Sequence, residues 1–176
     1  METSKPPVTD VKIRSYRPDD HRRCRALWAE LVESQRVLYD DPSLGGADPG
    51  AGFEEYMTRI DLSGVWVAEH AEEGVVGLVG LLLEGQVGEV EPIVVTRQMR
   101  GKGIGRALLE RVAEEARQRR LRQLTVSPAS RNLEAIRSLH AAGYTVLSKI
   151  TLTFDTAGPT RGWRDGVELH GLRFRY

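Results

Sequence analysis

The fold of this chain is decided by one stretch, residues Val94 to Leu109, which reads VVTRQMRGKGIGRALL. Its β-branched start is typical of a strand. Glycine follows at the alternate positions 101, 103 and 105. The end is typical of a helix, because apolar residues recur at the spacing of one helix face, at Ile104, Leu108, Val112 and Ala116. The stretch therefore predicts a strand, a glycine-rich loop and a helix.

The loop is suited to holding an anion at the start of the helix. Gly105 would lie in the first helical turn, where glycine costs about 0.8 to 1 kcal/mol relative to alanine. Its missing side chain therefore indicates that a ligand approaches the backbone closely. Free N–H groups and the helix dipole attract negative charge there, and Arg100, Lys102 and Arg106 add cations. Several converging donors fit a diphosphate better than a single carboxylate.

Two common phosphate signatures do not fit this loop. A dinucleotide fingerprint, G-x-G-x-x-G, would need glycine at Arg106 or at Leu108, and a Walker loop would need Ser or Thr after Lys102. The run from Arg100 to Gly105 resembles instead the Arg/Gln-x-x-Gly-x-Gly/Ala signature of the GNAT-superfamily N-acetyltransferases, which cradles the pyrophosphate of acetyl-CoA. A glycine-rich turn that enters an ordinary helix is the alternative.

A second resemblance lies downstream, over Asn132 to Tyr144, which reads NLEAIRSLHAAGY. It is similar to the other signature of that superfamily, Asn-x-x-Ala-x-x-Leu-Tyr-x-x-x-Gly-Phe, and follows the glycine loop at the expected distance. The resemblance covers about Val11 to Phe154. One departure is His140, which stands where the family often carries a tyrosine that protonates the departing CoA sulfur.

Composition sets the limits of the prediction. The chain has 176 residues, of which 40% are hydrophobic and 28% charged, with a formal net charge of +0. These values favour a soluble protein with one core and give no overall field that would attract nucleic acid or a membrane. We interpret residues 1–10 as a flexible N-terminus and residues 11–176 as a single N-acetyltransferase domain. The absence of a signal-like apolar segment predicts a cytoplasmic protein.

The order of elements predicts the fold class. A strand-helix-strand passage in the middle favours a parallel pair, and flanking hairpins favour antiparallel pairing. Together with the resemblance, this predicts an α/β (α+β) fold, a GNAT-like mixed, mostly antiparallel sheet with a central splayed parallel strand pair and helices on both faces. Pro92 predicts either an edge strand or a bulge before the loop, and the resemblance implies a bulge. Strands are expected at 11–16, 65–69, 75–83, 88–95, 121–126, 144–154 and 167–174, and helices at 21–38, 53–60, 103–119 and around 133–139.

The resemblance implies transfer of an acetyl group from acetyl-CoA to a primary amine of a small molecule or protein by direct attack. Backbone donors at Val95 would polarise the acetyl carbonyl, and Asn132 would either bond the pantetheine arm or cap its helix. No metal is expected. The residues implied in acetyl-CoA binding are Ile93, Val94, Val95, Arg100, Gly101, Lys102, Gly103, Ile104, Gly105, Arg106 and Asn132.

Three side chains are candidates for proton transfer. Glu89 and Glu91 lie two residues apart, on one face of the predicted strand. Glu89 matches a position where some family members carry the general base, although either glutamate would also suit a half-exposed strand. His140 can donate a proton near neutral pH or be inert. The alternative function is a non-catalytic acyl-CoA-binding regulatory domain of the same fold.

The acceptor is expected between two segments, residues 36–60 and 155–168. The first is rich in acidic and aromatic residues, which would suit a cationic amine. The second contains Trp163, which we place near a hairpin tip, where it would close over a substrate or contact a second subunit. The sequence leaves the acceptor and a homodimer open.

Overall fold

The computed structural model describes residues 10–156 and 162–176. Residues 1–9, nearly all of the expected N-terminal tail, lie outside the described residues. The strands are β1 (Val11–Ser15), β2 (Val65–His70), β3 (Gly74–Glu84), β4 (Val87–Val95), β5 (Gln123–Thr125), β6 (Asp165–Leu169) and β7 (Leu172–Arg175), and the helices are α1 (His21–Tyr39), α2 (Gly52–Arg59), α3 (Ile104–Gln118) and α4 (Leu133–Ala141).

Within the described residues, β1 to β5 form one five-stranded sheet in sequence order. The first three pairings are antiparallel, and β5 pairs with β4 in parallel. The connection between these two parallel strands is α3, because parallel neighbours need a crossover. The predicted mixed, mostly antiparallel sheet with a parallel pair is confirmed.

Helices cover both faces of this sheet, as predicted. On the α1/α2 face, Leu27 and Phe53 pack with strand residues such as Leu78. On the α3/α4 face, the stripe that includes Leu108 packs with strand residues such as Val79. All five side chains are fully buried, and each contributes about 1.5 to 3 kcal/mol by leaving water. Successive strand residues alternate between the faces, which divides the core into these two clusters.

The strand predicted at 144–154 is wrong. Residues 145–154 belong to no strand, and their apolar side chains lie in solvent, with Val146 83% and Phe154 87% exposed. The alternating apolar pattern is present, but a strand also requires a neighbour that pairs with its backbone. The parallel pair consequently lies at the edge of the described sheet and not at its centre.

The strand predicted at 167–174 is a hairpin instead. Strands β6 and β7 pair in antiparallel fashion around His170 and Gly171, whose φ angles of 51° and 77° are those of a tight hairpin turn. Trp163 therefore lies away from the tip of this hairpin. Its side chain is half-buried, and its Nε1 donates to Asp155 Oδ2 at 2.7 Å.

Two searches of the described residues were negative. None of their helices is long and apolar enough to cross a membrane, and none of their His, Cys, Asp and Glu side chains cluster as metal ligands do. Cys24 is fully buried on α1, and burial raises the pKa of its thiol to about 12.

Candidate active site

The pairing between the two parallel strands ends before β4 does, and the edge of β4 beyond this point borders a gap in the sheet. Pairing between β4 and β5 runs from Val87 to Glu89 and stops with Thr125, while β4 continues to Val95. In the part of the chain that the structure describes, the later residues of β4 therefore have no partner on β5. This is the splay expected from the resemblance, and it leaves one edge of β4 available to a ligand.

A β-bulge interrupts the pairing of β4 with its other neighbour, β3. Val79 pairs with Ile93 and Leu81 with Val90, so Gly80 alone lies opposite two residues of β4. An extra residue in one strand exchanges the faces to which the following side chains point. Even-numbered Val90 and odd-numbered Ile93 accordingly both pack in the α3/α4 cluster.

Glu89 precedes the bulge and Glu91 lies within it, and both side chains lie on the α1/α2 face. Glu89 pairs across the strands with Leu82, which packs in the α1/α2 cluster. Its Oε1 accepts a hydrogen bond from Ser127 Oγ at 3.4 Å, at the root of the gap. Glu91 faces α2, with its Oε1 3.8 Å from Arg59 Nη2. Glu91 therefore has a cation beside it, whereas Glu89 has a hydroxyl.

Beyond the bulge, backbone groups of β4 point into the gap. The N–H of Thr96 donates to Val76 of β3 at 2.9 Å. Because alternate N–H groups of a strand point to the same edge, those of Ile93 and Val95 point to the opposite edge, toward β5. The Val95 carbonyl on that edge accepts from Arg100 Nε at 2.9 Å, which draws the Arg100 side chain to the mouth of the gap.

The glycine loop leaves the start of α3 open. Gly101 and Gly103 have φ angles of 72° and 90°, a region that glycine enters without a steric penalty. Gly103 is the N-cap and supplies no side-chain acceptor, so the first N–H groups of α3 point outward. A Cβ on Gly105 would meet only Val95 Cγ2, at 3.9 Å. The site therefore fits an anion that approaches the backbone.

The cations around this loop are at the surface. Lys102 is exposed, with its Nζ 3.3 Å from Met99 Sδ. Arg106 pairs with Glu110 at 2.9 Å, and both side chains are largely exposed, so this pair contributes little stability. Both cations can therefore turn toward a diphosphate at low cost.

The second motif supplies a helix cap and an exposed histidine. Asn132 Oδ1 accepts from the Ala135 N–H at 3.0 Å, which is the capping alternative for this residue. His140 lies on the exposed side of α4, whereas Leu139 is buried in the α3/α4 cluster. Tyr144 also packs against that cluster, and burial raises the pKa of its hydroxyl.

Two acidic side chains of the α1–α2 segment are bound by one arginine. Arg25 pairs with Asp48 and, at 2.8 Å, with Glu54. The hydrogen bonds from Arg25 hold the pKa of Asp48 below its usual value. Tyr56 is fully buried. Of these three residues from the segment expected to hold the acceptor, Tyr56 is held within the fold, while Asp48 and Glu54 are about half exposed and paired with Arg25.

One arginine joins the two segments expected to hold the acceptor. Arg131 is 7% exposed, and its guanidinium donates to the carbonyls of Leu38 at 3.2 Å and Gly162 at 2.6 Å. It also lies over the rings of Tyr39, at 5.2 Å, and Trp163, at 5.8 Å. The end of α1 and residues 162–163 are thus fixed together.

Comparison with known proteins gives the chain its family. The model of the acetyltransferase (GNAT) family matches residues 21–144. The chain belongs to the GNAT acetyltransferase family. Membership implies acetyl-CoA as co-substrate and an amine as acceptor. A search of curated proteins found no match.

Solved GNAT structures have the same fold. A GNAT acetyltransferase from Staphylococcus aureus MU50 is similar at a TM-score of 0.62 and 16% identity, over 76% of this chain and 83% of that chain. AAC(6′)-Iy, in complex with the bisubstrate analogue CoA-S-monomethyl-acetylneamine, has a TM-score of 0.60 and 15% identity, over 84% and 99%. Ribosomal-protein-alanine N-acetyltransferase from Brucella melitensis has a TM-score of 0.58 and 26% identity, over 75% and 83%.

The structure adds residues to the GNAT site that the sequence did not reveal. Ser127 reaches Glu89 from the loop after β5, and Tyr56 reaches the backbone of Glu91 from α2. No local pattern identifies them, because each lies more than 30 positions from its partner. For Tyr56, the sequence held one indirect sign. Gly80 and Pro92 lie in two adjacent strands, and this combination is typical of a bulge such as the one that Tyr56 contacts.

Proposed function

We propose that this protein transfers the acetyl group of acetyl-CoA to a primary amine of a small molecule or a protein, by direct attack of the amine. The observation that carries the proposal is the composition of the gap. Backbone N–H groups of Ile93 and Val95 line one edge, Glu89 lies at its root, and the open start of α3 follows directly in the chain. The gap therefore offers separate groups for the thioester, the amine and the diphosphate.

The proposed chemistry needs few side chains. The amine nitrogen attacks the thioester carbonyl carbon, the C–N bond forms, the C–S bond breaks and CoA leaves as a thiolate. The surplus proton of the attacking nitrogen passes to this thiolate, directly or through water. A thiol with a pKa near 8.5 is an acceptable leaving group. Backbone donors stabilise the developing oxyanion, so the exposed His140 is not required as an acid.

Glu89 is the general base in this proposal. An amine arrives protonated, and a carboxylate within reach, directly or through one water, accepts its proton. Glu91 is less suited, because Arg59 already lies beside it. Among the described residues, the Glu89 carboxylate accepts one hydrogen bond, from Ser127, so it can face an incoming ammonium.

The residues proposed for acetyl-CoA are those of the gap edge and the loop. Ile93 and Val95 offer backbone donors to the pantetheine arm and the acetyl carbonyl, with Val94 between them. Asn132 caps α4, and whether it also contacts pantetheine stays a prediction. The diphosphate would be held by Arg100, Gly101, Lys102, Gly103, Ile104, Gly105 and Arg106. Cytoplasmic location, a homodimer and the single domain over 11–176 also stay predictions.

The experiment is a panel of amines tested with acetyl-CoA, measuring release of free thiol. The panel contains lysine peptides, peptides with a free N-terminal alanine, polyamines, amino acids and aminoglycosides, because two similar structures are described with an acetylneamine analogue and as a ribosomal-protein-alanine acetyltransferase. We expect turnover with at least one class. Binding of acetyl-CoA by calorimetry without turnover of any class would favour the regulatory alternative.

A further inference from the structure

Tyr56 lies where α2 meets the bulge of β4. Its side chain is fully buried, and its hydroxyl donates to the backbone carbonyl of Glu91 at 2.6 Å. Burial raises the pKa of this hydroxyl, so it keeps its proton and remains a donor across the working range of pH. A helix of the acceptor side is thereby joined to the backbone of the strand that carries the candidate base.

The bulge explains why this carbonyl needs a side-chain donor. Neither Glu91 nor Pro92 takes part in the register between β3 and β4, and proline has no N–H to donate. A buried carbonyl without a partner costs free energy comparable to a lost hydrogen bond. The Tyr56 hydroxyl supplies the donor that the ladder lacks at this point.

Gly80 provides the space for that hydroxyl. A Cβ at position 80 would lie 1.8 Å from Tyr56 Oη and 2.5 Å from the Glu91 oxygen, distances that real Cβ contacts do not show. Residue 80 must therefore be glycine, because the tyrosine hydroxyl and the carbonyl oxygen that it bonds both occupy the place of a side chain. The glycine, the bulge and the hydroxyl form one interlocking unit.

The aromatic ring is held independently of its hydroxyl. Trp28 lies with its ring centroid 5.1 Å from that of Tyr56, and Phe53 packs at 6.3 Å. These contacts between rings contribute about 0.5 to 1.5 kcal/mol each beyond their burial. A phenylalanine at position 56 would therefore keep its place, and only the hydrogen bond would be lost.

We propose that Tyr56 is a positioning residue for acetyl transfer, whose hydroxyl fixes the bulge of β4. The bulge decides that Glu89 faces the α1/α2 side while the N–H groups of Ile93 and Val95 point into the gap, since a slip of one residue exchanges faces and edges. The inference rests on the proposed function, because it assigns the geometry of that site to this contact.

The test compares Tyr56→Phe with Tyr16→Phe. Tyr16 packs against the same apolar cluster, and its hydroxyl makes only a long contact of 3.4 Å to His21 Nδ1, so it is a matched control. For Tyr56→Phe we expect kcat to fall about tenfold, equivalent to about 1.4 kcal/mol, with acetyl-CoA affinity unchanged because the loop is untouched. The control should keep wild-type kcat.

Hydrogen exchange gives a measurement that does not depend on turnover. Peptides that cover residues 87–95 should exchange about tenfold faster in Tyr56→Phe, because local opening follows the free energy of the contacts that hold a segment. Peptides that cover β2 should match the wild type. Faster exchange throughout the chain would indicate general destabilisation and would overturn the positioning role, as would values equal to those of the control.

A double-mutant cycle with Gly80→Ala tests the interlock. Gly80→Ala should lose more activity in the wild-type background than in Tyr56→Phe, because the shortest overlap is with the hydroxyl, and residues in contact give non-additive effects. Additive effects would overturn the inference. If the wild type acetylates no amine, the proposed function is wrong, and the cycle, measured on exchange in 87–95, still decides whether Tyr56 holds the bulge.

Discussion

The α1/α2 face and the α3/α4 face of the sheet use their charged side chains differently. On the α1/α2 face, Arg14 pairs with Asp20 at 2.7 Å, and both side chains are about nine-tenths buried. At the start of α3, on the other face, Arg106 pairs only with Glu110, and 76% of the Arg106 side chain is exposed. The pair on the first face is neutralised within the fold, whereas the pair at the start of α3 remains available to a ligand.

This difference agrees with the proposal that each face serves one substrate. The proposed donor side is an open helix start with exposed, weakly held cations such as Lys102 and Arg106, which suits a mobile diphosphate. On the proposed acceptor side, ion pairs and hydrogen bonds hold several side chains in place, and Glu89 lies at the root of the gap. Strand β4 contributes to both sides. Its side chains Glu89 and Glu91 lie on the α1/α2 face, whereas beyond the bulge the N–H groups of Ile93 and Val95 point into the gap. Four substitutions test this division.

The largest effect is expected from Glu89→Gln. Loss of a general base lowers kcat about a hundredfold, and the acidic limb of the pH-rate profile should disappear, while acetyl-CoA affinity measured by calorimetry stays unchanged. Glu91→Gln should lower kcat only a few-fold. The exposed Glu84→Gln is the control. An unchanged pH-rate profile for both Glu89→Gln and Glu91→Gln would contradict a glutamate base.

Asp20→Asn tests how much the ion pair between Arg14 and Asp20 stabilises the α1/α2 face. Hydrogen bonds from Arg14 hold the pKa of Asp20 below its usual value, so the ionised carboxylate stabilises the folded state above the unfolded-state pKa of about 3.9, and this stabilisation is lost as the pH falls through the lower folded pKa. We expect a loss of about 2 kcal/mol of unfolding free energy at neutral pH, measured by urea denaturation.

The same measurement repeated from pH 7 down to pH 3 supplies the check. The difference between wild type and Asp20→Asn should shrink as the carboxylate becomes protonated. Asp19→Asn, at the exposed neighbouring position, should behave as the wild type. A difference that is independent of pH would mean that the carboxylate charge does not stabilise this face.

Gly105→Val tests the open start of α3. The branched side chain would fill the space above the first helical turn, where a Cβ now meets only Val95. We expect acetyl-CoA affinity to fall about tenfold, or about 1.4 kcal/mol, measured by calorimetry, with stability nearly unchanged. Gln118→Val, at the exposed last residue of α3, is the matched control. Wild-type affinity in Gly105→Val would place the diphosphate elsewhere.

The smallest effect is expected from His140→Gln. This side chain is exposed on α4, and a thiolate leaves without an acid, so kcat should change less than about twofold, which is about 0.4 kcal/mol. The measurement is the initial rate of thiol release at pH 6, 7 and 8. A loss of tenfold or more, concentrated on the basic limb, would show that His140 acts as the acid and that chemistry extends to α4.

The sequence by itself determined the donor side of this protein. Its features depend on residues that are close together in the chain: the strand, the glycine loop, α3 and the capped start of α4. Anion binding at a helix start, for example, needs consecutive backbone N–H groups and glycines at fixed offsets. These features lie within two short runs, residues 94–109 and 132–144. Family, sheet class and most helix and strand bounds followed from the same local patterns.

Only the tertiary structure decided the acceptor side. Ser127 beside Glu89, Tyr56 above Gly80 and Arg131 between Leu38 and Gly162 join residues far apart in the chain, and such contacts leave no periodic signal. The strand predicted at 144–154 failed for the same reason, since side-chain alternation is local but pairing requires a neighbour. The bulge of β4 belongs to both levels. Pro92 and the resemblance predicted it from the sequence, and only the structure shows that the Tyr56 hydroxyl donates to its Glu91 carbonyl.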